Sequence, residues 1–461
     1  MKHIDEKTIN SLINIKVYPR EIDEILEKTK LLKRLSLEDC AKLLAVADAK
    51  LLKKIYKAAA RVKNIIYGKR VVLFVPLYIS NVCANTCLYC GFSVNNKLTV
   101  RKKLSLEEIK KQTEILLKRG HKRILMVAGE TASSDENVNY YIDAVKAIYA
   151  ADYKGSKIKR VNVNVAPLSV EQFKKLKDAG IGTYQLFQET YHDATYRKLH
   201  VAGAKSEPDN RLDAIDRAFE AGIDDVGIGT LFGLYDYRFE VLAMLMHIEY
   251  LEKKFGIGPH TISMPRIEPA QGTNYADHGE YPLTDENFKK LVAVLRLSVP
   301  YTGIIMSTRE TSEMRDELVN LGVSQISAES RVTPGGYEEV VQDNKTVEKQ
   351  FSLNDQRSLT EITSSLILQG LIPSFCAACY RKNRTGEHFM DLAKPGDIKH
   401  MCDINALVTL KEYLEDFAEP EVKKAGYKLI EEAKKNLDAE AIKTLEKMFK
   451  NIDAGIRDEY V

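Results

Sequence analysis

Eight short apolar runs, most of them separated from the next by a helical pattern, constrain this chain more than any other feature. They begin at Val71 (VVLFVPLYIS), Arg123 (RILMVAGE), Arg160 (RVNVNVAPL), Thr183 (TYQLFQET), Asp225 (DVGIGTLFGL), Thr261 (TISMPRIEP), Thr302 (TGIIMSTRE) and Gln325 (QISAES). Runs of this length, closed by small or polar residues, read as buried parallel strands. The intervening stretches carry helix signals: Ser105 and Glu108 form a capping box, Gly120 and Gly222 stand at helix ends, and Thr284 stands at a start. Eight such units over about 260 residues match a closed (β/α)8 TIM-type barrel, an α/β fold. An open doubly wound sheet would show the same alternation. Both architectures collect functional residues at the carboxyl ends of the strands. Residues 1–68 read as a helical N-terminal extension, 69–340 as the barrel, and 341–461 as a C-terminal helical domain after the connecting stretch that follows Gly335-Gly336.

The 461 residues are 44% hydrophobic, enough for a large core. With 68 Lys and Arg against 65 Asp and Glu, the net charge is +3, which argues against nucleic acid as the main partner. Neither a signal peptide nor an 18-residue apolar span stands out, so the expectation is a cytoplasmic protein without membrane contact. Of the seven cysteines, six fall into two groups, Cys83, Cys87, Cys90 and Cys376, Cys379, Cys402. Such spacing suggests metal ligation rather than disulfides in a reducing compartment. Cys40, within an apolar helical pattern, reads as a core residue.

The first group, NVCANTCLYCGF, follows the first strand at the catalytic face. Three thiolates can hold three corners of a 4Fe-4S cube and leave the fourth iron open. A structural zinc site takes four ligands, and a ferredoxin would want a fourth nearby cysteine. The C-x3-C-x2-C spacing, with Tyr89 before the last cysteine, resembles the cluster motif of the radical S-adenosylmethionine (SAM) superfamily. That resemblance implies SAM chelated by the open iron and cleaved by one electron to a 5'-deoxyadenosyl radical. Ala128-Gly129-Glu130 resembles the superfamily's Gly-Gly-Glu element, with Ala in place of the first Gly, and places Glu130 against the SAM amine. Arg197 is the candidate partner of the SAM carboxylate, or else a surface ion pair. Gly227 and Gly229 would let adenine approach the backbone, or merely ease strand packing.

The second group forms C-x2-C-x22-C, again three thiolates with an open corner, although His388 or His400 could complete a Cys3His zinc site. A SAM-type barrel followed by this trio resembles the tyrosine lyases that mature FeFe-hydrogenases. The resemblance implies cleavage of the tyrosine Cα–Cβ bond to p-cresol and dehydroglycine, and conversion of the latter to carbon monoxide and cyanide on iron. It further implies two 4Fe-4S clusters, SAM, and an additional iron with an exogenous cysteine and a histidine, for which His260 at the start of the sixth strand is the candidate. Reduced ferredoxin or flavodoxin would donate electrons, and a hydrogenase maturation scaffold protein would accept the product. L-tyrosine needs a cation for its carboxylate. Arg309, with Ser307 and Glu310 beside it, offers a planar fork at the end of the seventh strand. Arg266 and Ser327 are further candidates. The rival readings are a 2-iminoacetate (dehydroglycine) synthase of thiamine biosynthesis, which lacks the second trio, and a non-catalytic iron-sulfur scaffold or carrier.

Overall fold

The structure is a computed structural model that describes all residues except 132, 274, 276–278, 339–348, 383 and 385–397; of residues 398–400 it describes the backbone only. His388 therefore lies outside the described residues, and so does the side chain of His400.

All eight expected strands form: β1 (Arg70–Ser80), β2 (Arg123–Ala128), β3 (Arg160–Asn164), β4 (Tyr184–Glu189), β5 (Val226–Thr230), β6 (Thr261–Ser263), β7 (Gly303–Met306) and β8 (Gln325–Ser327). Each pairs in parallel with the next, and β1 pairs with both β2 and β8, which closes the ring. The doubly wound alternative is thereby excluded. β1 is buried along both faces, with Val71, Val75 and Ile79 fully inaccessible, which is why it reads as an unbroken apolar run rather than an alternating one.

The first 67 residues are helical. Helix Ala49–Tyr67 buries Leu52, Ile55, Ala59, Val62 and Ile66, a single stripe at three- and four-residue spacing, and packs on helix Asp285–Ser298 of the barrel. Cys40 is fully buried there, 2.9 Å from Ser298 Oγ, and burial pushes its thiol up to about 12. It is a core residue, as its sequence context suggests. The capping box at Ser105 and Glu108 is formed, and Thr284 caps its helix through Asn287 N.

The sequence pattern suggests only helices after the barrel, but a ninth strand, β9 (Ile372–Ser374), joins the sheet. It pairs with Arg70–Val72 of β1. Because Val72 meets Gln325 of β8 on one edge, β9 takes the other edge, below the point where β2 begins to pair at Val75. Cys376 follows directly, so this short strand brings the second cysteine group to the amino-terminal mouth. The run Leu371–Phe375 is too short, and too interrupted by Pro373, to signal a strand in isolation. Beyond it lie helices Ile398–Asp416, Pro420–Lys434 and Ala439–Asp453, packed around Leu407, Leu410, Leu414, Ile430 and Leu445. Among the described residues no helix is long and apolar enough to cross a membrane.

Candidate functional site

Cys83, Cys87 and Cys90 lie on the loop after β1 and line one cavity at the carboxyl mouth, with about 1350 Å³ free of protein atoms including its opening. The loop is held by its own polar groups. Arg101 donates to the carbonyls of Asn81, Phe92 and Ser93, and Asn96 and Thr99 both donate to Gly91 O. Gly129 lets the β2 end approach it: its N–H donates to Ser80 O, and a Cβ there would fall 2.4 Å from Val82 O. Ala84 N then donates to Glu130 O, so the cysteine loop and the Ala-Gly-Glu turn are one assembly.

Burial pushes the thiols of Cys87 and Cys90 up, and the neighbouring cysteines add to it. Several sulfur anions in one apolar place require cations between them, and an iron-sulfur cluster supplies those. Among the described residues no three His, Cys, Asp or Glu side chains close around a point as a single metal ion demands. Gln350 donates to Cys90 Sγ at 3.8 Å. Tyr89 lines the same cavity and its hydroxyl is 2.8 Å from His200 Nε2.

Glu130 also lines it. Its carboxylate accepts from Arg211 at 2.7 Å and from Asn85 at 3.2 Å. Burial alone would raise its pKa, but Arg211 and Lys205 bring it below the usual range. Glu189, at the end of β4 with φ +74°, accepts from Lys205 at 2.6 Å and lies 3.6 Å from Arg211. These four charges line the cavity together, Glu189 and Arg211 buried and Glu130 and Lys205 partly so. Glu189 is missing from the sequence-derived candidates, although its place at the end of a strand was a signal that could have found it. Lys205 and Arg211 follow a turn beyond the next helix, where no local pattern marks them.

Arg197 stands elsewhere. It is about half exposed, paired with Asp193 one helical turn away, and is not on the cavity wall. The surface reading holds for it. Gly227 and Gly229 are buried in β5 and do not line the cavity; a Cβ would meet Gln185 and Thr261 at Gly227, and the Phe187 ring and Ser263 O at Gly229. They serve close packing.

Ser307, Arg309 and Ser327 line the same cavity. The Arg309 guanidinium stacks 3.4 Å over the Phe351 ring, with one long hydrogen bond to Arg266 O. Among the described residues no carboxylate lies within ion-pair distance of it, and burial lowers its pKa. Ser327 Oγ is buried without a described partner. Arg266 and Glu310, by contrast, bind each other, and Arg266 also holds Asp285 at 2.7 Å. Neither lines the cavity.

At the amino mouth, Cys402 is buried beside Cys379, Ile257 and Tyr301. The hydrogen bond from Cys379 and the charge of Arg70 hold the Cys402 thiol below its ordinary range, while Cys379 is raised. Arg123 donates to Cys376 O at 2.6 Å. His260 precedes β6 as expected, with Nε2 3.3 Å from the Tyr380 hydroxyl and Nδ1 3.8 Å from Asp225. Burial keeps its pKa low, hence a neutral imidazole able to ligate a metal. Val72 to Ser80 spans roughly 25 Å at about 3.3 Å per residue, so the two cysteine groups stand at opposite ends of the barrel.

Residues 77–247 match the model of the radical SAM superfamily, and residues 263–372 match the biotin and thiamin synthesis associated domain. A curated relative, the 2-iminoacetate synthase of Salmonella typhimurium, is 34% identical over 343 residues, 74% of this chain and 86% of the relative. The chain belongs to the radical SAM superfamily. Within it, the full-length likeness is to the FeFe-hydrogenase maturase HydG. One HydG crystal structure is 45% identical with TM-score 0.96 and complete coverage of both chains. The HydG structure from Carboxydothermus hydrogenoformans is 42% identical with TM-score 0.83, covering 96% of each chain.

Proposed function

We propose that the protein is a HydG-type radical SAM tyrosine lyase, which cleaves L-tyrosine between Cα and Cβ to p-cresol and dehydroglycine and converts the latter to carbon monoxide and cyanide on iron. The observation that supports this reading is that one cavity holds both the three-cysteine loop and Arg309, whose guanidinium lies over Phe351 with no carboxylate at ion-pair distance among the described residues. When bound, a 4Fe-4S cluster at Cys83, Cys87 and Cys90 supplies one-electron cleavage of SAM to a 5'-deoxyadenosyl radical.

The chain's own residues bind and orient. Glu130 and Asn85 accept from the SAM amine, and Lys205 takes the carboxylate role expected of Arg197. Arg211 holds Glu130 and Glu189 in place. Arg309 grips the tyrosine carboxylate through its planar fork, with Ser307 and Ser327 beside it. Phe351 fixes the guanidinium plane and keeps water from it, which strengthens the pairing. Orientation and water exclusion are what such a protein adds to cofactor chemistry.

The second trio, Cys376, Cys379 and Cys402, would hold a second 4Fe-4S cluster, with an additional iron, an exogenous cysteine and His260 completing the assembly site. Reduced ferredoxin or flavodoxin would serve as donor and a maturation scaffold as acceptor. In this reading residues 69–340 would carry the cleavage and 341–461 the second cluster, with 1–68 as a helical extension. A thiamine-pathway 2-iminoacetate synthase would need only the barrel; the match to such a relative stops at 74% of this chain, whereas the HydG likeness spans the C-terminal trio.

The test is anaerobic reconstitution with iron and sulfide, then tyrosine, SAM and dithionite. p-Cresol, carbon monoxide and cyanide should all appear. Cresol without either diatomic product would defeat the maturase reading, and absence of 5'-deoxyadenosine would leave only a non-catalytic carrier.

A further inference from the structure

Residues 349–355 belong to no helix or strand, yet they bond in turn to segments that follow four different strands of the barrel. Gly91 N, beyond β1, donates to Gln350 O, and Gln350 N donates to Val332 O beyond β8. Ser352 N donates to Pro269 O beyond β6, and Asn354 N and Asp355 N both donate to Thr308 O beyond β7. Gly91 permits the approach to the cysteine loop: a Cβ there would fall 2.5 Å from Lys349 O and 2.9 Å from Gln350 O. Burial alternates along the segment, with Leu353 and Asp355 buried and Ser352 and Asn354 exposed. Asp355 anchors its far end between two cations, the buried Arg315, which also donates to Ser327 O, and Arg357 at 2.7 Å. The segment is therefore a strap, pinned at intervals across the carboxyl mouth.

Two consecutive side chains on this strap line the cavity and touch opposite parts of the site. Gln350 Nε2 donates to Cys90 Sγ at 3.8 Å, and the Tyr78 hydroxyl donates to Gln350 Oε1 at 2.7 Å. A flipped amide would set its oxygen against the sulfur, and the Tyr78 hydroxyl, which has its oxygen partner only in the present orientation, selects against that. Phe351, the next residue, lies under the Arg309 guanidinium, and Asn354 donates to Arg309 O at 2.6 Å.

We infer that Gln350 is a positioning residue acting through Cys90, and that the strap ties the seating of the substrate at Arg309 to the state of the cluster that Cys90 helps to hold. The inference rests on the function proposed above. An N–H donor aimed at a ligating sulfur favours the reduced, more negative form of a cluster and raises its potential. At 3.8 Å the contact is long, so a small shift of the strap strengthens it. A carboxylate arriving at Arg309 acts on the guanidinium that Phe351 carries, and the planar peptide unit between Gln350 and Phe351 passes the displacement to the amide on Cys90. The cluster would then accept its electron more readily with substrate in place, which limits idle cleavage of SAM. Such coupling is reciprocal: if tyrosine changes how SAM binds, SAM changes the affinity for tyrosine by the same factor.

The test is a redox titration of the reconstituted full-length protein followed by electron paramagnetic resonance, reading the cluster signal that changes when SAM is added, with and without tyrosine. In the parent, tyrosine should raise the midpoint of that signal. Gln350→Leu should lower the midpoint and remove the response to tyrosine, while the urea midpoint stays near the parent's, since Gln350 is only partly buried. Tyr78→Phe, the milder change, frees the amide and should lower the midpoint by less; combined with Gln350→Leu it should add nothing, as two residues acting through one contact require. Equilibrium binding gives the reciprocal measurement: SAM should tighten tyrosine about fivefold or more in the parent and not in Gln350→Leu. A midpoint unmoved by Gln350→Leu, a parent midpoint indifferent to tyrosine, or full additivity of the two substitutions would each overturn the proposal. A parent that takes up no SAM-responsive cluster, or that forms no p-cresol, would strike the functional reading instead.

Discussion

Arg309, Arg211 and Arg197 are the same residue type under three different physical conditions, and the differences predict what each substitution does. Arg309 lies over the Phe351 ring with no carboxylate at ion-pair distance among the described residues, the charges of Glu189 and Glu268 acting on it from further off. Arg309→Gln should raise the KM for tyrosine roughly 30- to 150-fold, the equivalent of about 2–3 kcal/mol for a charge-assisted fork, and Arg309→Lys should recover only part of it. An unchanged KM would remove Arg309 from the substrate site. Arg211 serves two carboxylates, of which Glu189 also keeps Lys205, so Arg211→Ala takes the nearest cation from Glu130 and should cost about 3 kcal/mol in urea denaturation, with SAM binding lost. Arg197→Ala deletes an exposed pair one helical turn apart, worth about 0.3–0.5 kcal/mol, and should leave SAM affinity unaltered in a binding titration. Sequence proximity to the fourth strand suggested Arg197. What decides is which way the helix turns the side chain, and a single sequence does not record that.

The ends of elements carry the site, and two of them can be tested as elements. After β4 the backbone turns through Glu189 with positive φ, and the next two residues are fixed by Glu240, which accepts from the Thr190 hydroxyl and from Tyr191 N. Burial raises the Glu240 carboxyl to about 8 despite those bonds. The folded chain therefore holds a proton that the unfolded chain releases near its ordinary value of about 4.3. Stability contributed by this group is complete at acid pH and falls as pH rises from there to about 8, with a slope approaching 1.4 kcal/mol per pH unit. Glu240→Gln should flatten the dependence of the urea midpoint over that range, and an equal slope in both proteins would refute the assignment. β9 is the other case. Ile372 N donates to Lys69 O at 2.9 Å, and Ile372→Pro would delete that bond at a cost of about 1–3 kcal/mol and loosen the strand that presents Cys376. Iron after reconstitution should fall toward half with SAM cleavage retained; full iron would show that the trio does not depend on β9.

At the scale of the whole molecule, a closed barrel separates two cysteine groups that would otherwise share one surface. If the ends do different chemistry, Cys376→Ser with Cys379→Ser should preserve p-cresol formation and abolish carbon monoxide; equal loss of both would mean that the second group is needed for cleavage. The eight strands, the cysteine trios and the capping residues at Ser105 and Thr284 were legible because each rests on local grammar: an apolar run, a short ligand spacing, a side chain meeting its own helix. The insertion of β9 beside β1, the charge network of Glu130, Glu189, Lys205 and Arg211, and the pairing of Arg266 with Glu310 were not. Those depend on which distant segments come into contact and which buried charges thereby find partners. The linear chain determined the two cysteine groups and the strand order, whereas only the folded packing decided which arginine pairs closely with a carboxylate, as Arg266 does, and which, like Arg309, faces the cavity over Phe351.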